Sequence, residues 1–107
     1  MKLAYISGQI TGLANLNKPK FTAAEMLLRK HGYNVINPHT ICNDLPKTAP
    51  WETFMRRCIE HLPKADVLFQ LDDWEKSQGA ILESVIAQNL SIRVYELEKH
   101  SFTDATK

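Results

Sequence analysis

The sequence carries almost no excess of either charge, since thirteen Lys and Arg against twelve Asp and Glu leave a formal net charge of +1. A near-neutral chain supplies no long-range field for polyanions, which sets aside nucleic-acid polymers and anionic membrane surfaces as partners. Small anionic ligands stay open, because they need only local donors. Long apolar runs are also missing, and none approaches the roughly 20 residues that span a bilayer. The N-terminal Met1-Lys-Leu-Ala-Tyr-Ile-Ser-Gly8 turns at glycine without the extended apolar stretch of a secretion signal. A cytoplasmic location is expected. Cysteine is scarce: Cys42 and Cys58 stand sixteen residues apart, in neither a CxxC pair nor a four-ligand set, so neither a disulfide framework nor a structural zinc site is indicated.

What is present is the composition of an ordinary globular protein, 44% hydrophobic and 23% charged. A chain of 107 residues accommodates one domain. Leu3 to Ile6 is a short apolar run closed by Ser7-Gly8, read as a strand. A polar loop follows, and Pro19 opens a helix whose Phe21, Ala24, Leu27 and Leu28 recur at helical spacing up to Gly32. Tyr33 to Ile36 is a second strand, closed by Asn37-Pro38. Pro50 opens the clearest amphipathic helix, with Trp51, Phe54, Met55, Cys58, Ile59 and Leu62 on one stripe. Ala65 to Leu71 is nearly continuous in apolar residues, as in a parallel strand buried on both faces. The last helix covers about Gln78 to Leu90, with Ile81, Leu82, Val85, Ile86 and Leu90 expected to pack inward, and Ile92 to Leu97 is the fourth strand. The domain therefore spans 1–97, and 98–107 reads as a polar tail.

Alternating strands and helices with short connections imply an α/β fold: a flavodoxin-like (Rossmann-like) parallel sheet of about four strands in the order 2-1-3-4, with helices on both faces. In that order the helices following the first and third strands leave on opposite faces, so a crevice opens at the C-terminal ends of those strands. Its walls would be the segments Ser7 to Gly12 and Asp72 to Gly79. Glu83 stands one turn inside the last helix, in a lane of small residues formed by Gly79, Ala80 and Ala87 that could admit a ligand; the plainer alternative is an acid on a solvated helix edge. Ser77 and Gly79 fall where the first helical N–H groups lack partners, suiting a phosphate or carboxylate, while Ser77 also serves as an ordinary N-cap. The Ser7-Gly8-Gln9 turn lacks both the GxGxxG and the P-loop pattern. Asp72 and Asp73 could bind ribose hydroxyls or simply form a turn, and without a convergent third ligand no metal is implied. Trp74 is a candidate pocket wall, and His39 reads as a solvated loop residue.

Taken together, Tyr5-Ile-Ser-Gly-Gln-Ile-Thr-Gly12, Asn37-Pro38, Trp51 with Met55-Arg-Arg57, Ala65-Asp66 and Trp74-Glu-Lys-Ser-Gln-Gly-Ala-Ile-Leu-Glu83 resemble the nucleoside 2-deoxyribosyltransferase superfamily, in particular its small phage and bacterial branch. The resemblance runs from Leu3 to about Val94. It implies cleavage of the bond between a nucleobase and a deoxyribose or ribose, by transfer or hydrolysis, on a small nucleoside or nucleotide 5'-monophosphate, with no cofactor and in a homo-oligomer. It makes Glu83 the nucleophile and Tyr5 the residue that orients it, and on that reading the strand-end Asp72 or Asp73 would position Glu83 and the sugar. Ser7, Gly8, Gln9, Asp73, Trp74, Ser77 and Gly79 become the substrate contacts. Ser77, six residues before the glutamate, matches a phosphate-contacting serine of relatives that hydrolyse monophosphates. Three positions depart from the pattern: Cys58 stands where active members carry an aspartate, and Gln9 and Thr11 replace first-loop residues of those hydrolases. A noncatalytic nucleotide-binding protein that retains the crevice is the alternative.

Overall fold

The computed structural model describes residues 2–11, 13–98 and 101–104; Gly12 of the first loop and the remainder of the expected tail, 99–100 and 105–107, lie outside the described residues. Five strands make one sheet in the order β2-β1-β3-β4-β5. The first four, β1 (Leu3–Ser7), β2 (Asn34–Ile36), β3 (Val67–Gln70) and β4 (Arg93–Glu98), are parallel in the expected order 2-1-3-4. β5 (Ser101–Asp104) pairs antiparallel with β4, so part of the segment expected as a polar tail extends the sheet instead. Its short Ser-Phe-Thr-Asp sequence has no apolar run to signal a strand, and the open edge of β4 supplies the backbone partners.

Between the strands run α1 (Lys18–Lys30), the single-turn α2 (Pro38–Ile41), α3 (Trp51–His61) and α4 (Gln78–Asn89). Gly32, at φ +90°, ends α1 in the left-handed conformation that favours glycine. Asn37 begins α2 by accepting the His39 N–H at 3.0 Å. Strand alternation then divides the core. Ala4 and Ile6 join Phe21, Ala24 and Leu28 of α1 on one face, with Val67, Phe69 and Leu97. Tyr5 joins Cys58, Leu62, Leu68, Ala87 and Val94 on the other, beneath α3 and α4. His39, expected in solvent, is half-buried, with its ring edge-on to Phe21 at 5.0 Å. Among the described residues, no helix is long and apolar enough to cross a membrane.

The inward face of α4 corrects the periodicity reading. Gly79, Ala80, Glu83, Ser84 and Ala87 are buried, while Ile81, Leu82, Val85 and Leu90 are 43%, 37%, 51% and 51% exposed. Of the residues expected inside, only Ile86 packs against the core. The physical reason is steric and polar together. Bulky strand residues already fill the space under α4, so small side chains let the helix approach. Hydrogen bonds from the sheet to Glu83 and Ser84 then fix which side faces in.

Candidate active site

Period-two alternation on β1 points Tyr5 and Ser7 to the same face, and the fold places α4 above them. The Tyr5 hydroxyl donates to Glu83 Oε2. The Ser7 hydroxyl donates to Oε1 at 2.7 Å. Each carboxylate oxygen thus has its own donor from one strand, and Glu83, only 4% exposed, is the one buried carboxylate among the described residues. Burial pushes its pKa up to about 7 against the opposing pull of the two hydroxyl bonds. Burial, followed by the Glu83 charge, holds the Tyr5 hydroxyl well above its ordinary range, so it remains a donor. The Cys58 thiol is raised in the same way and stays protonated beside Tyr5.

Glycine permits close packing at two points that flank this site. A Cβ on Gly8 would stand 2.7 Å from Leu71 Cδ1, so the turn after β1 fits only without a side chain. A Cβ on Gly79 would stand 2.9 Å from Met55 Sδ. Met55 of α3 therefore stands against the Gly79 end of the lane of small residues on α4. Ser77 caps α4 by accepting the Ala80 N–H at 3.1 Å. The N–H groups of the first turn lie beside it, at the end of the crevice.

Asp72 and Asp73 do not converge on Glu83. Asp73 accepts the Gln9 N–H at 3.1 Å, Asn17 Nδ2 at 3.0 Å and Lys20 Nζ at 3.3 Å. Asp72, exposed, is ion-paired to Lys20. The two acids thus clasp the loop after β1 to the loop after β3, joining the crevice walls. That loop also contains Asn15, Leu16 and Asn17 in consecutive left-handed conformations at φ 52°, 53° and 60°. Asn17 is further tied to the Gln9 carbonyl at 2.8 Å. Trp74 is half-buried and opens the short turn Trp74–Lys76 that leads into Ser77. Sequence reasoning missed Asn17, Lys20 and the contact of Met55 with Gly79. Met55 could be found from its place on the apolar stripe of α3; nothing in the sequence pairs Asn17 or Lys20 with Asp73.

A profile of a domain of unknown function, DUF4406, matches residues 1–96. The chain belongs to the DUF4406 family. No curated protein matches this DUF4406 chain significantly. Among solved structures, it is similar to a 2-deoxyribosyltransferase from the psychrotolerant bacterium Bacillus psychrosaccharolyticus, described as a biocatalyst for nucleoside synthesis. The two are 23% identical, with a TM-score of 0.67 over 88% of this chain and 70% of the other. At that identity the similarity establishes a shared fold.

Proposed function

We propose that this protein cleaves the N-glycosidic bond of a nucleoside or nucleoside 5'-monophosphate through a covalent intermediate on Glu83. The observation that carries the reading is the buried Glu83 carboxylate, with one oxygen on the Tyr5 hydroxyl and the other on the Ser7 hydroxyl at the C-terminal end of β1. A Glu83 oxygen forms a bond to the anomeric carbon as the bond from that carbon to the base nitrogen breaks, and the base leaves with a proton taken from solvent, which is returned when the incoming water or base nitrogen loses its own. Water, or the nitrogen of a second base, then displaces Glu83 and regenerates the carboxylate. A carboxylate suits the step because it can trap an oxocarbenium-like centre and leave again. Tyr5 and Ser7 hold Glu83 in one orientation, Gly8 and Gln9 line the near wall, and Ser77 with Gly79 faces the sugar or its phosphate. Asp72 and Asp73, with Trp74, shape the opposite wall. The reading needs no cofactor, and it takes the protein as a cytoplasmic homo-oligomer.

A second reading, a nucleotide-binding protein without turnover, is favoured by two features: Glu83 is buried, and Cys58 beside Tyr5 is a neutral thiol. The deciding experiment incubates the protein with ribo- and deoxynucleosides and their 5'-monophosphates and measures free base by chromatography, with Glu83→Gln as control. Base release that Glu83→Gln abolishes supports the enzyme. Release unchanged in the variant rules out Glu83 as nucleophile, and binding without release establishes the second reading.

A further inference from the structure

β3 lies between β1 and β4, and its last residue is the one polar side chain of the strand. Gln70 is 2% exposed and stands in register with Ser7, and alternation turns both toward α4. Its amide Nε2 donates to Ser84 Oγ at 3.1 Å, where Gln88 Nε2 also donates at 3.0 Å. Gln70 Oε1 is buried with no hydrogen-bond partner among the described residues. An unpaired buried acceptor lowers stability. A leucine at this position would leave no such group, and Ser84 would keep its bond from Gln88. The stability of the resting fold does not by itself account for the amide.

We infer that Gln70 is a positioning residue that holds α4 in place while Glu83 reacts, an assignment that rests on the proposed function. Among the described residues, three side-chain hydrogen bonds tie the sheet to α4: two end on Glu83 and the third on Ser84. Hydrogen bonds to a carboxylate are roughly twice as strong as those to a neutral acceptor. Once a Glu83 oxygen is bonded to the anomeric carbon, the group is an uncharged ester, and Tyr5 and Ser7 lose much of their hold. That loss falls at the step where water or the second base must meet the anomeric carbon in line. The bond from Gln70 to Ser84 involves no reacting atom and persists. Ser84 follows Glu83 directly, so fixing one fixes the main chain of the other. Packing is a poor substitute, because the buried face of α4 is Gly79, Ala80, Ser84 and Ala87 around Glu83, and of its large aliphatic residues only Ile86 packs against the core.

The test uses the full chain and has two arms, of which the first needs no turnover. Glu83→Gln leaves a neutral acceptor in place of the carboxylate and so stands in for the ester. Amide hydrogen exchange is measured at Ser84 to Ala87 in Gln70→Leu, in Glu83→Gln and in the double variant, with Tyr5 and Leu68 as reporters of global opening. Each single variant should exchange at α4 within about threefold of wild type, and the double at least tenfold faster, with Tyr5 and Leu68 unchanged in all three. Opening of α4 in Glu83→Gln alone, no added exchange in the double, or acceleration at Tyr5 and Leu68 along with α4 overturns the anchor. The second arm measures base release by Gln70→Leu. Its kcat should fall at least tenfold, with KM within about threefold and the acid limb of the pH profile unmoved, since Tyr5 and Ser7 still set the charge of the resting Glu83. An unchanged kcat, or a limb that shifts, overturns the role in the reaction. If the wild type releases no base, the catalytic reading fails on its own, and the exchange arm still decides whether Gln70 holds α4 once Glu83 is uncharged.

Discussion

Glu83 links charge state to both activity and stability. Attack requires the carboxylate, and burial sets its pKa at about 7, so base release should rise with pH through neutrality and level off above it. The Tyr5 hydroxyl opposes that rise by stabilising the charged form. Removing it in Tyr5→Phe should move the acid limb of the kcat/KM profile upward by about one pH unit, because a hydrogen bond to a charge contributes on the order of 1.5 kcal/mol. The loss should therefore be greater at pH 6 than at pH 8, and an unshifted limb would refute this role. Stability follows the same proton. With a folded pKa of about 7 against an ordinary 4.5, the native chain holds a proton that the unfolded chain releases. Wild-type stability then falls as pH rises from about 4.5 through 7. Glu83→Gln carries no such charge, so its melting temperature relative to wild type should be higher at pH 8 than at pH 5, by the equivalent of up to about 3 kcal/mol; parallel pH dependences would contradict it. Glu83 was legible from its place after a strand-to-helix switch point and Tyr5 from the family resemblance, whereas Ser7 was expected as a substrate contact and its bond to Glu83 was not read. The partners of Asp72 and Asp73 were not, because Lys20 lies 52 positions before Asp72 and no local pattern links them.

At the level of elements, two glycines set how closely the backbone can pack, and they differ in what stands against them. Gly8 faces Leu71, a short branched side chain that is 3% exposed and has nowhere to move. Gly8→Ala should cost about 1–3 kcal/mol, the range for overpacking a full core. Gly79 faces the sulfur of Met55, near the end of a flexible chain. Met55 can turn aside, and alanine improves helix propensity by about 1 kcal/mol. Gly79→Ala should therefore leave stability within about 1 kcal/mol of wild type while still changing the wall of the crevice. Urea unfolding of the two variants measures the contrast, and equal losses would refute it. Helix positions were readable from Pro19, Gly32, Pro50 and Ser77. The facing of α4 was not, since large aliphatic residues normally mark the buried side, and here the polar bonds of Glu83 and Ser84 outweigh that rule.

For the whole molecule, strand order was legible because each strand is followed by a helix, and right-handed crossovers leave few arrangements. The fifth strand and the left-handed turn at Asn15–Leu16–Asn17 escaped, the first for want of an apolar run and the second because leucine is rare in that conformation and asparagine adopts it as single residues rather than in runs. The sheet also predicts an order of opening. β1 and β3 lie between other strands and beneath cover on both faces, whereas β2 is a three-residue edge. Amide exchange should be slowest at Tyr5 and Leu68 and clearly faster at Val35. The reverse order by mass spectrometry or nuclear magnetic resonance would mean that the domain opens elsewhere first.

The contact between Met55 and Gly79 has a chemical corollary. A thioether takes up one oxygen from peroxide to become a polar sulfoxide, and the sulfur of Met55 stands against the first turn of α4, 2.9 Å from where a Cβ on Gly79 would be. Met26, 68% exposed on α1, can be oxidised without disturbing anything packed against it. At Met55 the added polar oxygen would turn the flexible side chain away from Gly79, so oxidative injury at one well-covered atom would register beside the candidate active site.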